Sequence, residues 1–80
     1  MSEKARIRWL CRRGMKELDV LLERFVNSDY DSLSAAQHEA FVNLLHYEDP
    51  DLWVLFMGRA EAETPEQAEL VERIREFERV

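Results

Sequence analysis

The sequence predicts an all-α fold: a small single-domain bundle of about five helices with short connections. Three observations carry that expectation. Apolar residues recur at helical spacing in one segment after another. No stretch alternates polar with apolar residues as a half-buried strand does. The breaks between segments carry helix start and stop residues. A chain of 80 residues builds one core, so the expected domain is residues 1–80.

The first helix is expected from about Ser2, as N-cap, to Arg13, with Ile7, Leu10 and Cys11 on one stripe. Trp9 falls off that stripe, on the side of Arg6 and Arg13. The second runs from Met15 to about Asn27, with Leu18, Leu21, Leu22, Phe25 and Val26 at helical spacing. Residues 27–32 then read as a polar connector. Ser34-Ala35-Ala36-Gln37 is a capping box that opens the third helix, whose apolar face is Phe41, Leu44 and Leu45. Asp49-Pro50 is a second start signal, an acceptor at the N-cap followed by proline at the first helical position. The helix it opens, Leu52 to Met57, is apolar nearly all round and is expected at the centre of the bundle, with Gly58 ending it. Thr64-Pro65-Glu66-Gln67 repeats the start grammar, and Leu70, Val71, Ile74 and Phe77 are expected to face inward.

Composition excludes several function classes. No apolar run approaches the ~18 residues that a membrane span needs. The N-terminus alternates charge with single apolar residues, so neither a signal nor a transit peptide is expected, and a cytoplasmic location of bacterial type is. A single cysteine, Cys11, leaves no internal disulfide and fits a reducing compartment. With one Cys and two His no metal site is expected. His38 and His46 stand eight apart, too far to share a metal in the i, i+4 manner. Cys11 itself reads as core, beside Ile7 and Leu10. Glycines at 14 and 58 alone build neither a dinucleotide fingerprint nor a P-loop. Ser32 and Ser34 lack an evident His-Asp pairing, so no serine triad is expected. The acidic clusters Asp29/Asp31 and Glu48/Asp49/Asp51 lack EF-hand spacing and read as turn and cap chemistry.

The net charge of −6 hides an asymmetry: residues 1–16 carry net +5 and the remainder −11. A basic N-terminal face on an acidic body suggests a carboxylate-bearing partner surface. A helix-turn-helix reader of nucleic acid is the physical competitor. Its recognition helix wants cations, and the third helix here offers Gln37, His38, Glu39 and Asn43 with no Arg or Lys. No nucleic-acid partner is therefore expected. An antitoxin-type interaction module shares the small, acidic, helical composition but wants a disordered arm that this pattern lacks.

The junction Arg12-Arg13-Gly14-Met15-Lys16-Glu17 remains. It places cations at a helix end, a carboxylate in the next helix's first turn, and between them a residue without a side chain. Good capping alone produces the same string, with Gly14 at C′ of the first helix. Together with Ala5-Arg6-Ile7, Trp9 and Leu18-Asp19, however, the junction resembles the first motif of the succinate dehydrogenase flavinylation (FAD assembly) factors. Tyr30-Asp31-Ser32-Leu33-Ser34 is similar to the connector of that family's bacterial members. Leu44-Leu45, two further residues and Glu48-Asp49-Pro50-Asp51-Leu52 match its second signature. One departure stands out: the family commonly places an aromatic three residues after that leucine, where this chain has Leu55 and instead carries Trp53.

The resemblance implies a non-enzymatic assembly factor, with no catalytic residues of its own. Its partner would be the flavoprotein subunit of succinate dehydrogenase, and that of fumarate reductase as a related client. FAD belongs to the partner and no cofactor is bound stably by this chain. Carried onto this sequence, the partner-binding residues are Arg8, Trp9, Arg12, Arg13, Gly14 and Glu17, with Asp49, Pro50 and Asp51 as the second signature. Arg12 and Arg13 would pair partner carboxylates, Gly14 would admit a partner backbone, and Glu17 would orient a polar group near the flavin pocket. Trp9 is either an interfacial anchor or a packing residue against the second or fifth helix. Glu17, four residues after Arg13, has the alternative of an internal ion pair.

Overall fold

The structure, a computed structural model, describes residues 2–76. Five helices follow in order: α1 (Glu3–Leu10), α2 (Lys16–Asp29), α3 (Ala35–Leu45), α4 (Asp49–Phe56) and α5 (Pro65–Glu76), with a 3-10 turn at Tyr30–Ser32 after α2. No strand occurs among the described residues, as the periodicity requires.

The ends of these helices follow from local chemistry, with three shifts from expectation. Ser2 caps α1, its hydroxyl accepting the Ala5 N–H at 3.1 Å. Yet α1 stops at Leu10 rather than Arg13: the Cys11 N–H closes the last turn on Ile7 and Arg8. The Arg13 N–H then turns away to the Asp19 carboxylate at 2.7 Å. In contrast, α2 runs past Asn27 to Asp29, where the Ser32 hydroxyl donates to the Asp29 carbonyl and the Leu33 N–H to that of Tyr30. Most of the expected connector is thus helical. The α3 capping box is as expected, with Gln37 N–H to Ser34 Oγ at 3.2 Å and Ser34 N–H to Gln37 Oε1 at 2.9 Å.

The start of α4 lies one residue early. Glu48 is the N-cap and Asp49 and Pro50 fall in the first turn, because the Asp49 carboxylate is engaged by Arg13 and does not cap. Gly58 ends α4 with φ +75°, and the Arg59 and Gly58 N–H groups bond to the Val54 and Leu55 carbonyls. That is a Schellman stop, which the left-handed residue makes glycine's position. At α5, Thr64 Oγ1 accepts the Gln67 N–H while Gln67 Oε1 accepts from Glu63, which satisfies the buried Gln67 amide oxygen.

The core is continuous. Ile7, Leu18, Leu22, Phe25, Phe41, Leu44, Leu52, Phe56, Leu70 and Ile74 are all fully buried. Each such side chain contributes about 1.5–3 kcal/mol. Phe25 and Phe41 join α2 to α3 with ring centroids 5.1 Å apart, and α5 packs against α2, α3 and α4. Phe77 lies outside the described residues.

The expected central place of α4 needs correction. Leu52, Leu55 and Phe56 face the core, but Trp53, Val54 and Met57 are only half-buried and Pro50 is exposed. With one side partly exposed, α4 lies at the edge of the core, and its all-round apolarity does not mark a central helix. Leu55, where the family commonly has an aromatic, is buried, and Trp53 packs on the core's edge. No described helix is long and apolar enough to cross a membrane.

Candidate protein-docking site

Three pieces of chain converge on one end of the molecule: the last turn of α1, the turn 11–15 leading into α2, and the start of α4. Helical period decides what α1 shows. Ile7 and Cys11 point into the core, so Arg8, Trp9 and Arg12 project outward. Trp9 is 67% exposed, which places it at the surface rather than as a core packing residue. Besides Trp9, only Val20, at 39%, is an exposed large apolar residue among the described residues, so an indole this far in water stands out.

Gly14 has φ +82°, and a Cβ built there would meet nothing within 4 Å. It is not the C′ residue of α1, because that helix ends at Leu10. The glycine serves the turn itself, and the space above it is open. Glu17 is exposed in the first turn of α2 with no ion-pair or hydrogen-bond partner among the described residues. The internal pair with Arg13 does not form.

Arg13 corrects the expectation most. Its guanidinium points inward, with only 12% of the side chain exposed. Nε donates to Asp49 Oδ1 at 2.8 Å, Nη1 to the Leu45 carbonyl at 2.6 Å and the Leu10 carbonyl at 3.4 Å, and Nη2 to the Tyr47 carbonyl. Four of the five donors of an arginine are therefore used inside the chain. Arg13 is not placed to pair a partner carboxylate. Among the second-signature residues, Asp49 is its counter-ion, while Pro50 and Asp51 remain exposed.

Arg8 and Arg12 have no side-chain partner among the described residues, and together with Arg6 and Lys16 they keep this end basic. Lys4, by contrast, is paired with Asp31 at 2.9 Å. Arg12 stands on a ridge between two depressions. One, of about 500 Å³, lies between α1 and α2 with Arg8, Arg12 and Gly14 on one wall and Asp19 and Glu23 on the other. The second, of about 590 Å³, is bounded by Trp9, Leu10, Arg12, Glu48 and Pro50. Cys11 lies beneath the first, and burial pushes its thiol up to about 12, so it stays protonated and unreactive near neutrality. Sequence reasoning missed Asp19, which fixes the turn by accepting the Arg13 N–H across six positions. Glu48, read from the sequence as turn and cap chemistry, is the N-cap of α4 and also borders the second depression.

The sequence as a whole matches the family model described as "Flavinator of succinate dehydrogenase" over residues 5–78. It is 49% identical over 71 residues to an FAD assembly factor SdhE of Idiomarina loihiensis, covering 89% of this chain and 79% of that protein. It is 48% identical over 71 residues to an FAD assembly factor SdhE of Shewanella oneidensis, covering 89% and 87%. Among solved structures, the solution structure of a UPF0350 protein superposes with a TM-score of 0.76 at 43% identity, over 94% of this chain and 80% of that one.

Proposed function

This chain belongs to the flavinator of succinate dehydrogenase family, and from that premise we propose that it is an assembly factor acting by contact. It binds the flavoprotein subunit of succinate dehydrogenase and promotes covalent attachment of FAD to a histidine of that subunit. One observation carries the docking part of the reading: Trp9, Arg8, Arg12, Gly14 and Glu17 are exposed together at one end, and the side chains of Arg8, Arg12 and Glu17 have no ion-pair or hydrogen-bond partner among the described residues. Solvated charges beside an exposed indole and an open glycine have the composition of an interface hot spot.

Each residue has a role in that reading. Gly14 lets a partner backbone come within contact of the turn. Arg8 and Arg12 pair partner carboxylates, and Trp9 is the apolar anchor beside them. Glu17 accepts from a polar group of the partner near its flavin. FAD stays with the flavoprotein, since two isolated glycines and a mixed-charge ridge make no dinucleotide cradle. Neither Cys11 nor His38 is set up as a nucleophile: Cys11 is buried and protonated, and His38 is held by Glu3 and Tyr30 at 2.7 and 2.9 Å. What it contributes is differential affinity, binding best the conformation in which the flavoprotein forms its own bond to FAD.

Purified flavoprotein subunit titrated with this chain tests the contact directly. A saturable complex that weakens with rising salt and with Trp9→Ala supports the reading. A wild-type affinity in Trp9→Ala and Arg12→Ala alike would remove this end of the molecule from the interface.

A further inference from the structure

The arginine of the Arg-Gly-x-x-Glu string and the aspartate of the second signature, 36 positions apart, form one ion pair. Four elements are tied at that point. Arg13 reaches the last carbonyl of α1 (Leu10), the last carbonyl of α3 (Leu45) and a connector carbonyl (Tyr47), while its own N–H is held by Asp19 of α2 and its Nε by Asp49 of α4. The first two carbonyls are helix C-terminal groups left without an intrahelical partner, and a planar guanidinium can satisfy several such acceptors at once where an ammonium cannot.

We propose that Arg13 is a positioning residue that acts through Asp49. The clamp sets the distance and angle between the end of α1 and the start of α4, and so shapes the depression between Trp9 and Pro50 and the presentation of the Gly14 turn. Arg13 makes no ion pair with the partner; Arg8 and Arg12 do. This inference rests on the docking role proposed above for that end of the molecule. To meet a partner carboxylate, Arg13 would have to abandon four internal acceptors and leave the Asp49 charge unmatched. Arg12, one residue earlier and solvated, meets such a carboxylate at no comparable loss.

The test uses the full chain carrying Trp53→Phe, so that Trp9 is the single indole, with variants Arg13→Gln, Asp49→Asn, both together, and Arg12→Gln. Circular dichroism fixes a temperature at which each is folded. Asp49→Asn, which keeps the side chain's size and removes its charge, carries the test if Arg13→Gln does not fold. In the free chain, Trp9 emission should shift in the Arg13 and Asp49 variants and stay unchanged in Arg12→Gln. Against the purified flavoprotein subunit, Arg13→Gln and Asp49→Asn should each weaken binding by roughly tenfold or more. The double variant should lose little beyond either single one, and the salt dependence should remain that of the parent. Arg12→Gln should instead flatten the salt dependence. A flattened salt dependence in Arg13→Gln with a neutral Asp49→Asn would make Arg13 a contact residue and overturn the proposal. So would parent-like affinity in the folded Arg13→Gln chain. If the parent itself fails to bind, the docking role falls with the reading it rests on, while the free-chain emission still decides whether the clamp exists.

Discussion

Replacing Gly14 separates backbone need from partner contact. At φ +82° a residue with a Cβ is strained by about 1–2 kcal/mol, while the absence of any atom within 4 Å of the ideal Cβ means no steric cost is added. Gly14→Ala and Gly14→Arg should therefore lose similar stability. A loss of 1–2 kcal/mol lowers Tm by roughly 4–16 °C in a domain of this size. Total stability for 80 residues is about 4–12 kcal/mol, so both variants remain almost wholly folded at 25 °C. Gly14→Asn, whose side chain tolerates the left-handed region, should lose less. Partner binding should follow side-chain size instead: weakened in Ala and Asn, abolished in Arg, where a long chain fills the space a partner backbone needs. Thermal melts and flavoprotein titrations on the same preparations give both quantities. A folded Gly14→Arg chain that binds the flavoprotein like the wild type would refute the close-approach argument and reduce Gly14 to a turn residue.

Three further outcomes follow from the geometry. Glu17→Ala removes an exposed carboxylate whose only internal role is its favourable place at a helix N-terminus, so stability should change by no more than about 1 kcal/mol while covalent FAD incorporation in the partner falls sharply; loss of both in proportion would make it a structural residue. Ser34→Ala should lower stability by about 1 kcal/mol through loss of the capping box and leave flavoprotein affinity unchanged, read by melts and titration. For Cys11 the folded thiol value, about 12, lies above the ordinary 9.0, so the native state holds a proton that the unfolded state releases. Its contribution is fully present below pH 9 and is lost as pH rises from there through 12, at about 1.4 kcal/mol per pH unit. Urea melts of wild type and Cys11→Val across that window should differ in slope, and parallel curves would contradict the buried neutral thiol.

Much of the fold is written in local chemistry that a sequence displays. The stripe of α2, the box at Ser34 and the stop at Gly58 depend on residues within five positions of one another, so periodicity and cap grammar reach them. The misplaced ends have long-range causes. α1 stops early because Arg13 is drawn to Asp19, and α4 starts at Asp49 because that carboxylate belongs to an arginine 36 positions back. The same pair explains why the candidate site was only half legible. Trp9, Arg12 and Gly14 are visible from their departure from the apolar stripe and from the turn. Nothing local tells the solvated Arg12 from the half-buried, internally bonded Arg13 beside it; only the carbonyls of Leu10, Leu45 and Tyr47, assembled by the fold, make that distinction.

The proposed function is tested most directly by covalent flavin carried by the flavoprotein subunit of succinate dehydrogenase, read as fluorescence after denaturing electrophoresis. The subunit is expressed in cells lacking their own assembly factor, alone, with this chain, and with Gly14→Arg. The account predicts strong covalent fluorescence only with the wild-type chain, at equal levels of flavoprotein in all three. Equal fluorescence with and without the chain would contradict it.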